Sequence, residues 1–229
     1  MKLVHWLTII GVGALVLVTA VEKIPLINQY RFTAAIAYNA NYTANGVILN
    51  GKWVLSLASV FANGPDTDYQ VLIGSPKFLE GATVYVKRVI KHPEFDGLAN
   101  DIAMVEMDHI LLETVNAASV DLAINDVDSA AGTMASFGVG DELRESLITL
   151  TTDDGCVGKL DDAHKKIVKD GLAYCVVSVN GDVNEARDIG APIVSASFLH
   201  GLLASGGVAT RVPRYRTWIL STINDNVGR

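Results

Sequence analysis

The sequence has few charged residues and few cysteines. Only 19% of its 229 residues are Asp, Glu, Lys or Arg, and the formal net charge is −7. An acidic chain with so few charges has no basic patch that could follow a phosphate backbone, so we expect no nucleic-acid partner. The two cysteines do not have the spacing of a zinc site. We therefore expect neither a metal nor a cofactor.

Internal repeats and low-complexity tracts are also absent. Half of the residues are hydrophobic. This composition favours a packed globular core and excludes an extensively disordered chain.

The N-terminus has the pattern of a secretory signal peptide. Lys2 and His5 precede an apolar run over 7–18, and small residues follow up to Ala20. A basic head, an apolar middle and small residues at the end predict a signal peptide over 1–20. The alternative is an uncleaved membrane anchor, which needs about 20 continuous apolar residues. We expect a secreted, extracellular protein that does not stay in a membrane after cleavage.

Secretion determines how we interpret the two cysteines. Thiols outside the cell are usually oxidised, so Cys156 and Cys175 are predicted to form a disulfide. The alternative is a pair of free buried thiols. Asn41 begins an Asn-Tyr-Thr sequence, which makes it a candidate glycosylation site.

Short apolar runs separated by turn residues make up most of the remaining chain. This pattern is typical of an all-β sandwich or barrel. The predicted strands are 33–38, 46–49, 53–57, 70–73, 83–90, 102–107, 132–138, 147–151, 173–179, 192–196 and 201–204. Two segments differ: 160–171 predicts a short surface helix, and the apolar stripe of 214–224 predicts an amphipathic helix.

The stretches Trp53–Val60 and Arg187–Pro192 resemble the active-site sequences of the trypsin-like serine proteases. Residues 53–60 read Trp-Val-Leu-Ser-Leu-Ala-Ser-Val, where the family has Trp-Val-Val-Ser-Ala-Ala-His-Cys with its histidine base. Residues 187–192 read Arg-Asp-Ile-Gly-Ala-Pro, where the family has Gly-Asp-Ser-Gly-Gly-Pro with its nucleophile. Weaker matches to the family occur in the family's order along the chain, at 46–56, 89–95, 100–105, 136–138 and 207–212.

The resemblance implies an all-β fold of two packed antiparallel six-stranded β-barrels, with a cleft between them and a C-terminal α-helix. On this basis residues 21–229 form one trypsin-like domain. Its N-terminal barrel is expected at about 21–113, its C-terminal barrel at about 114–213 and its helix at 214–224.

The same resemblance implies that the catalytic triad is degenerate. It places Ser59 at the histidine, Asp101 at the aspartate and Ile189 at the serine. The family mechanism needs a neutral imidazole to take the proton of a serine hydroxyl, and a carboxylate to orient that imidazole. A serine hydroxyl is not a useful base near neutral pH, and isoleucine has no nucleophilic atom. We expect no catalytic residue to be functional and no enzyme activity.

Other site positions also depart from the family pattern. Arg187 stands at the oxyanion-hole glycine, where it would strain the backbone or turn the peptide if the position needs the conformation of glycine. Val183 falls near the acidic residue of the trypsin specificity pocket, and Ser205 replaces a tryptophan of its wall. Ala204 and Gly206 are the neighbouring pocket positions.

In active members of the family, the aspartate that matches Asp188 pairs with a freed N-terminal ammonium. The expected terminus falls at Val21, directly after the predicted signal peptide, so we hypothesise that the Val21 ammonium reaches Asp188. Local donors for Asp188 are the alternative. The remaining histidines of the mature chain are His92, His109, His164 and His200. By the resemblance, none of them maps near the cleft.

The sequence therefore predicts a secreted, non-catalytic serine protease homologue. It would act as a monomer that binds an extracellular protein partner through its cleft rim and loops. The alternatives are a serine endopeptidase, as the family resemblance alone implies, and a surface-recognition protein on the same fold.

Overall fold

The computed structural model of the chain describes residues 26–109, 116–138 and 141–226. The predicted signal peptide and Val21 lie outside the described residues. The strands are β1 (Thr33–Tyr38), β2 (Asn41–Ile48), β3 (Trp53–Ser56), β4 (Tyr69–Ile73), β5 (Ala82–Lys91), β6 (Ala103–Met107), β7 (Asp121–Leu122), β8 (Ser129–Ser136), β9 (Arg144–Thr151), β10 (Ala173–Ser178), β11 (Pro192–Ser195), β12 (Phe198–Leu203) and β13 (Val208–Arg211). The helices are α1 (Leu26–Gln29), α2 (Asp154–Val157), α3 (Asp162–Lys169) and α4 (Val212–Asp225).

The first six strands close into an antiparallel barrel in the order β1-β2-β3-β6-β5-β4. Large apolar side chains fill its core, among them Trp53, Leu55 and Met104. Asn39 and Ala40 both have positive φ and join β1 to β2. A two-residue turn of this kind matches the twist of paired strands, so local turn geometry sets the register of this hairpin.

The second barrel has the strand order β8-β9-β10-β13-β12-β11 and closes through the pairing of β11 with β12. The predicted architecture of two six-stranded antiparallel barrels is confirmed. The short strand β7 adds a parallel pairing at β12. It was not predicted, because two residues are too few to show an alternating pattern.

Cys156 and Cys175 form the predicted disulfide. The bond joins α2 to β10 and encloses α3, which is the surface helix predicted within 160–171. Asp161 caps the start of α3 by accepting the backbone N–H of His164 at 2.9 Å. The enclosed segment is therefore held at both ends.

Replacing both Cys156 and Cys175 by alanine is expected to lower the free energy of unfolding by about 3 kcal/mol, because an open loop of this length gains entropy in the unfolded chain. Urea titration of the two proteins measures the difference. The wild-type protein under reducing conditions is the control and should match the variant. A loss below about 1 kcal/mol would contradict the chain-entropy argument.

The C-terminal helix α4 extends from Val212 to Asp225, so it begins two residues before the predicted 214–224 and ends one residue after it. Pro213 explains the earlier start, because proline lacks the N–H that the first helical turn leaves unpaired. Asn226 explains the later end: its side-chain amide donates to the Thr222 carbonyl at 2.7 Å. No helix within the described residues is long and apolar enough to cross a bilayer.

A fully buried carboxylate, Glu106 on β6, lies among three cations. Lys52 approaches it at 2.8 Å and Lys87 at 3.1 Å, and Arg88 also pairs with it. Arg88 contacts Asn226 as well, which joins this cluster to the end of α4. Burial alone would raise the pKa of Glu106, but the hydrogen bonds from Lys52, Arg88 and Lys87 lower it to about 2. The carboxylate therefore stays ionised although water does not reach it.

Candidate functional site

Ser59 and Asp101 lie in direct contact. Ser59 is in a short 3-10 turn directly after β3, and Asp101 lies just before β6. Because Ser56 of β3 pairs with Ala103 of β6, the two segments leave the barrel side by side. The Ser59 backbone N–H donates to Asp101 Oδ1 at 2.8 Å, and the Ser59 hydroxyl donates to Oδ2 at 2.7 Å. Both oxygens of the carboxylate thus accept a hydrogen bond from the same residue.

Asp101 is buried at the contact between the two barrels. Its backbone carbonyl accepts the hydroxyl of Thr210 on β13 at 2.9 Å. Burial raises the pKa of Asp101, although the hydrogen bonds from Ser59 and the positive charge of Lys91 act in the opposite direction. The pair contains no basic nitrogen, and both oxygens of its one carboxylate are occupied by hydrogen bonds from Ser59.

A cavity of about 50 Å³ lies beside Ser59 and Asp101. The predicted pocket residues Ala204 and Ser205 also line it. Ligand pockets usually measure about 300–1,000 Å³. This cavity is therefore much smaller than a usual ligand pocket.

Asn45, on β2, holds the segment around Ile189 against the N-terminal barrel. Its backbone N–H and its side-chain amide both donate to the Ile189 carbonyl, at 2.8 and 3.1 Å. Its side-chain oxygen accepts the Phe137 N–H at 2.9 Å, and its carbonyl accepts the Ser56 hydroxyl at 2.7 Å. Gly190 has a φ of 77°, and a β-carbon there would lie 2.2 Å from the backbone carbonyl oxygen of Asn45. Sequence analysis missed Asn45, because no local pattern marks a contact this distant in sequence.

Asp188 is buried and has local hydrogen-bond donors. The Ser136 hydroxyl donates to one carboxylate oxygen and the Asn184 backbone N–H to the other, both at 2.7 Å. Because Val21 lies outside the described residues, its pairing with Asp188 stays a prediction. The alternative was that Asp188 pairs with local donors, and the Ser136 hydroxyl and the Asn184 N–H are such donors.

Arg187 is exposed, and its backbone does not adopt the left-handed conformation. Its N–H donates to the Asn184 carbonyl at 2.9 Å, and its carbonyl accepts the Tyr42 hydroxyl at 2.8 Å. We expected arginine at this position either to strain the backbone or to turn the peptide. The backbone strain is absent. The N–H that the resemblance assigns to the oxyanion hole thus donates to a carbonyl within its own loop.

His164 packs against a predicted pocket residue. A β-carbon on Gly206 would lie 2.3 Å from His164 Nε2, and the Gly206 N–H donates to Glu185 at 3.1 Å. The prediction that no histidine lies near the cleft is therefore wrong for His164, because the disulfide loop folds α3 back onto the end of β12. Its Nδ1 faces Asp161 at 2.7 Å. The remaining pocket position, Val183, is half-buried.

Two other histidines make structural contacts. The ring of His92 packs edge-on against Tyr215 and Trp218 of α4. His200 is buried in β12, and this burial lowers its pKa. Within the described residues, no three metal-ligating side chains come together as a metal site.

Two closed six-stranded antiparallel barrels, a C-terminal helix and polar loops at the contact between the barrels are the architecture of the trypsin-like serine proteases. The family model for trypsin matches residues 25–219. The chain therefore belongs to the trypsin family of serine proteases.

Individual relatives agree with this assignment. The chain is 25% identical to mouse kallikrein-1, over 86% of the chain and 84% of the relative. It is 27% identical to Xenopus laevis trypsin, over 83% of the chain and 85% of the relative.

Two solved structures share the fold. The serine protease neuropsin of mouse brain superimposes with a TM-score of 0.72 at 20% identity, covering 88% of this chain and 97% of neuropsin. An inactivated protease paralogue of the scabies mite superimposes with a TM-score of 0.78 at 18% identity, covering 86% of this chain and 94% of the paralogue.

Proposed function

We propose that this chain is a secreted, non-catalytic serine protease homologue that acts by binding an extracellular protein. The contact between Ser59 and Asp101 carries the proposal. At the position that the resemblance assigns to the base, a hydroxyl donates to the carboxylate at 2.7 Å. A hydroxyl bonded in this way offers no atom that accepts a proton from a nucleophile near pH 7.

The position assigned to the nucleophile supports the same proposal. Ile189 has only hydrocarbon beyond its backbone, so no covalent acyl intermediate can form on it. The N–H of Arg187 is bonded to Asn184 and is not available to a tetrahedral intermediate. Loss of one oxyanion donor typically costs about 100- to 1,000-fold in kcat. Base, nucleophile and oxyanion hole are thus all compromised.

Secretion is supported by three features that act together. The signal-peptide pattern over 1–20 predicts export, and the disulfide between Cys156 and Cys175 is typical of oxidising compartments. Asn41 is exposed at the start of β2. Its glycosylation remains a prediction of the sequence.

The cleft rim offers a surface for a protein partner. The segment 181–187 precedes Asp188 and is exposed at most of its positions, Arg187 and Glu185 included. Polar rims of this kind set orientation and specificity in protein interfaces. The proposed partner is an extracellular protein that contacts this segment, and the chain acts as a monomer.

Incubation of the purified protein with a fluorophosphonate serine-hydrolase probe tests the proposal. We expect no labelling and no cleavage of casein, because the site has no activated hydroxyl. Trypsin serves as the positive control, and heat-denatured protein reveals non-specific reaction. Labelling of any serine that disappears on denaturation would overturn the proposal and favour the endopeptidase alternative.

A further inference from the structure

His200 is a buried histidine of β12 whose Nδ1 has no hydrogen-bond partner among the described residues. The residue is only 8% exposed. A neutral imidazole carries one proton and an imidazolium carries two. A neutral ring with its proton on Nε2 leaves Nδ1 bare. Protonation would place an N–H at Nδ1, buried and without an acceptor, which native proteins normally avoid.

The segment 123–128, here called the strap segment, runs beside His200. It connects β7 to β8 in the stretch of chain between the two barrels. The Ala123 N–H donates to the carbonyl of Leu199, the residue before His200, at 3.0 Å. Asp126 of the strap segment is close enough for its negative charge to act on the His200 ring. The protonation of His200 and the position of the strap segment are therefore coupled.

Polar contacts hold most of the strap segment in place. The Tyr174 hydroxyl donates to Asp126 Oδ1 at 3.1 Å and accepts the Val127 N–H at 3.4 Å. Arg211 pairs with Asp126 Oδ2 at 3.7 Å. Ile124, in contrast, is 67% exposed. Segments with few buried apolar contacts open at a low free-energy cost, so the strap segment can open while both barrels stay folded.

The surroundings of His200 disfavour its protonation in the closed structure. Burial lowers the pKa of His200 below its usual 6.5, and the charge of Asp126 acts in the opposite direction without cancelling this effect. Both Asp126 oxygens already have partners, in Tyr174 and Arg211. The other charged residues on the strap segment and on the elements packed against β12 are Asp128, Asp121 of β7, Arg211 of β13, and Arg214, Arg216 and Asp225 of α4.

The two nearby tyrosines keep their protons over the range in which histidine titrates. Burial raises the pKa of Tyr174 to about 12, and burial also raises the pKa of Tyr215 on α4. A histidine changes its charge between about pH 5 and pH 8. His200 is therefore the group at this place whose charge responds to mild acid.

We propose that the strap segment is an acid-sensitive closure of the second barrel, which stays closed while His200 is neutral and opens when the ring takes up a second proton from solvent at Nδ1. Opening releases Asp126 from Tyr174 and Arg211, so that its carboxylate or water accepts the new N–H. The device lies outside the contact between Ser59 and Asp101 and goes beyond the proposed function.

The direction of the pH dependence follows from the lowered pKa of His200. The open form exposes the ring, so it binds the proton more readily than the closed form. The neutral ring therefore favours the closed form fully above pH 6.5, and this preference is lost as the pH falls below 6.5. Mild acid opens the strap segment, and neutral pH closes it.

Hydrogen–deuterium exchange at about pH 7.5 and about pH 5.5 tests the proposal. The wild-type protein and His200→Gln are compared at the same pH, so that the intrinsic pH dependence of exchange cancels. Glutamine does not titrate. The ratio of wild-type to variant exchange rates in the strap segment should rise at least about 5-fold from the higher to the lower pH, the lower limit for a buried donor without an acceptor.

His109→Gln is the matched control. The His109 side chain is 64% exposed, pairs with Asp108 and lies outside the strap segment. This variant should keep the full acid response of the wild-type protein. The His200 ring of the wild-type protein gives a second measurement: its NMR chemical shift should titrate below pH 6.5, together with the faster exchange. This measurement decides the question if His200→Gln does not fold.

Three outcomes would overturn the proposal. They are an acid response of the strap segment that persists in His200→Gln, an acceleration of exchange that is equal in all parts of the protein, and titration of the His200 ring at or above pH 6.5. Fluorophosphonate labelling reports only on the cleft, so this proposal and the proposed function fail independently.

Discussion

The double variant Ser59→His/Ile189→Ser should react with the fluorophosphonate probe at least about 100-fold faster than the wild-type protein, the lower limit for general-base assistance. Asp101 is already buried, and its oxygens face residue 59 at 2.7–2.8 Å. An imidazole there could donate to this carboxylate and accept the proton of a serine at 189. Each single variant lacks one partner and should remain unlabelled, because triad members act as a unit.

Peptide cleavage by the same double variant should remain below detection. Its oxyanion hole still lacks the Arg187 N–H, which is bonded to Asn184 at 2.9 Å. Ser59→His/Ile189→Ala is the matched control without a nucleophile, and it should not be labelled. Cleavage at a rate comparable to trypsin would contradict the oxyanion argument. Absence of labelling would show that positions 59, 101 and 189 are not arranged as the resemblance implies.

Glu106→Gln should lower the free energy of unfolding by about 3–5 kcal/mol, the usual effect of removing one partner from a buried ion pair. The neutral amide would leave Lys52, Lys87 and Arg88 without their common counter-charge. Urea titration at pH 7 measures the loss. Glu80→Gln is the matched control: Glu80 is 62% exposed and forms its ion pair with Lys77, so the loss of stability should stay below about 1 kcal/mol.

The effect of Glu106→Gln should depend on pH in a defined direction. The folded protein lowers the pKa of Glu106 from 4.5 to about 2. The ionised carboxylate therefore stabilises the fold fully above pH 4.5, and this contribution is lost as the pH falls toward 2. The wild-type protein and the variant should converge in stability over this interval. A difference that stays constant down to pH 2 would contradict the assigned pKa.

The strand pattern was readable from sequence wherever hydrophobic residues and turn residues alternate locally. The prediction for 33–38 matches β1 residue for residue, and most other predicted strands differ from the observed ones by one to five residues at their ends. The C-terminal helix was predictable from its stripe, with Tyr215 and Ile219 buried as expected. These features depend on neighbours along the chain, which a sequence displays directly.

The site was only partly readable. Motif order brought Ser59 and Asp101 together correctly, because the motif of Ser59 follows the end of β3, the motif of Asp101 precedes the start of β6, and these two strand ends are paired. Motif order could not indicate that Asn45 would bind the Ile189 carbonyl, since neither residue is unusual in its local sequence.

The sequence by itself indicated most of the strands and the pairing of the two cysteines, and the resemblance carried by its motifs predicted which residues stand at the triad positions. Only the tertiary structure decided that the Arg187 N–H donates to the Asn184 carbonyl and that His164 packs against Gly206. The physical reason is the range of the interactions. Strand formation and side-chain chemistry are local properties, whereas these contacts depend on how the loops and the two barrels pack against one another.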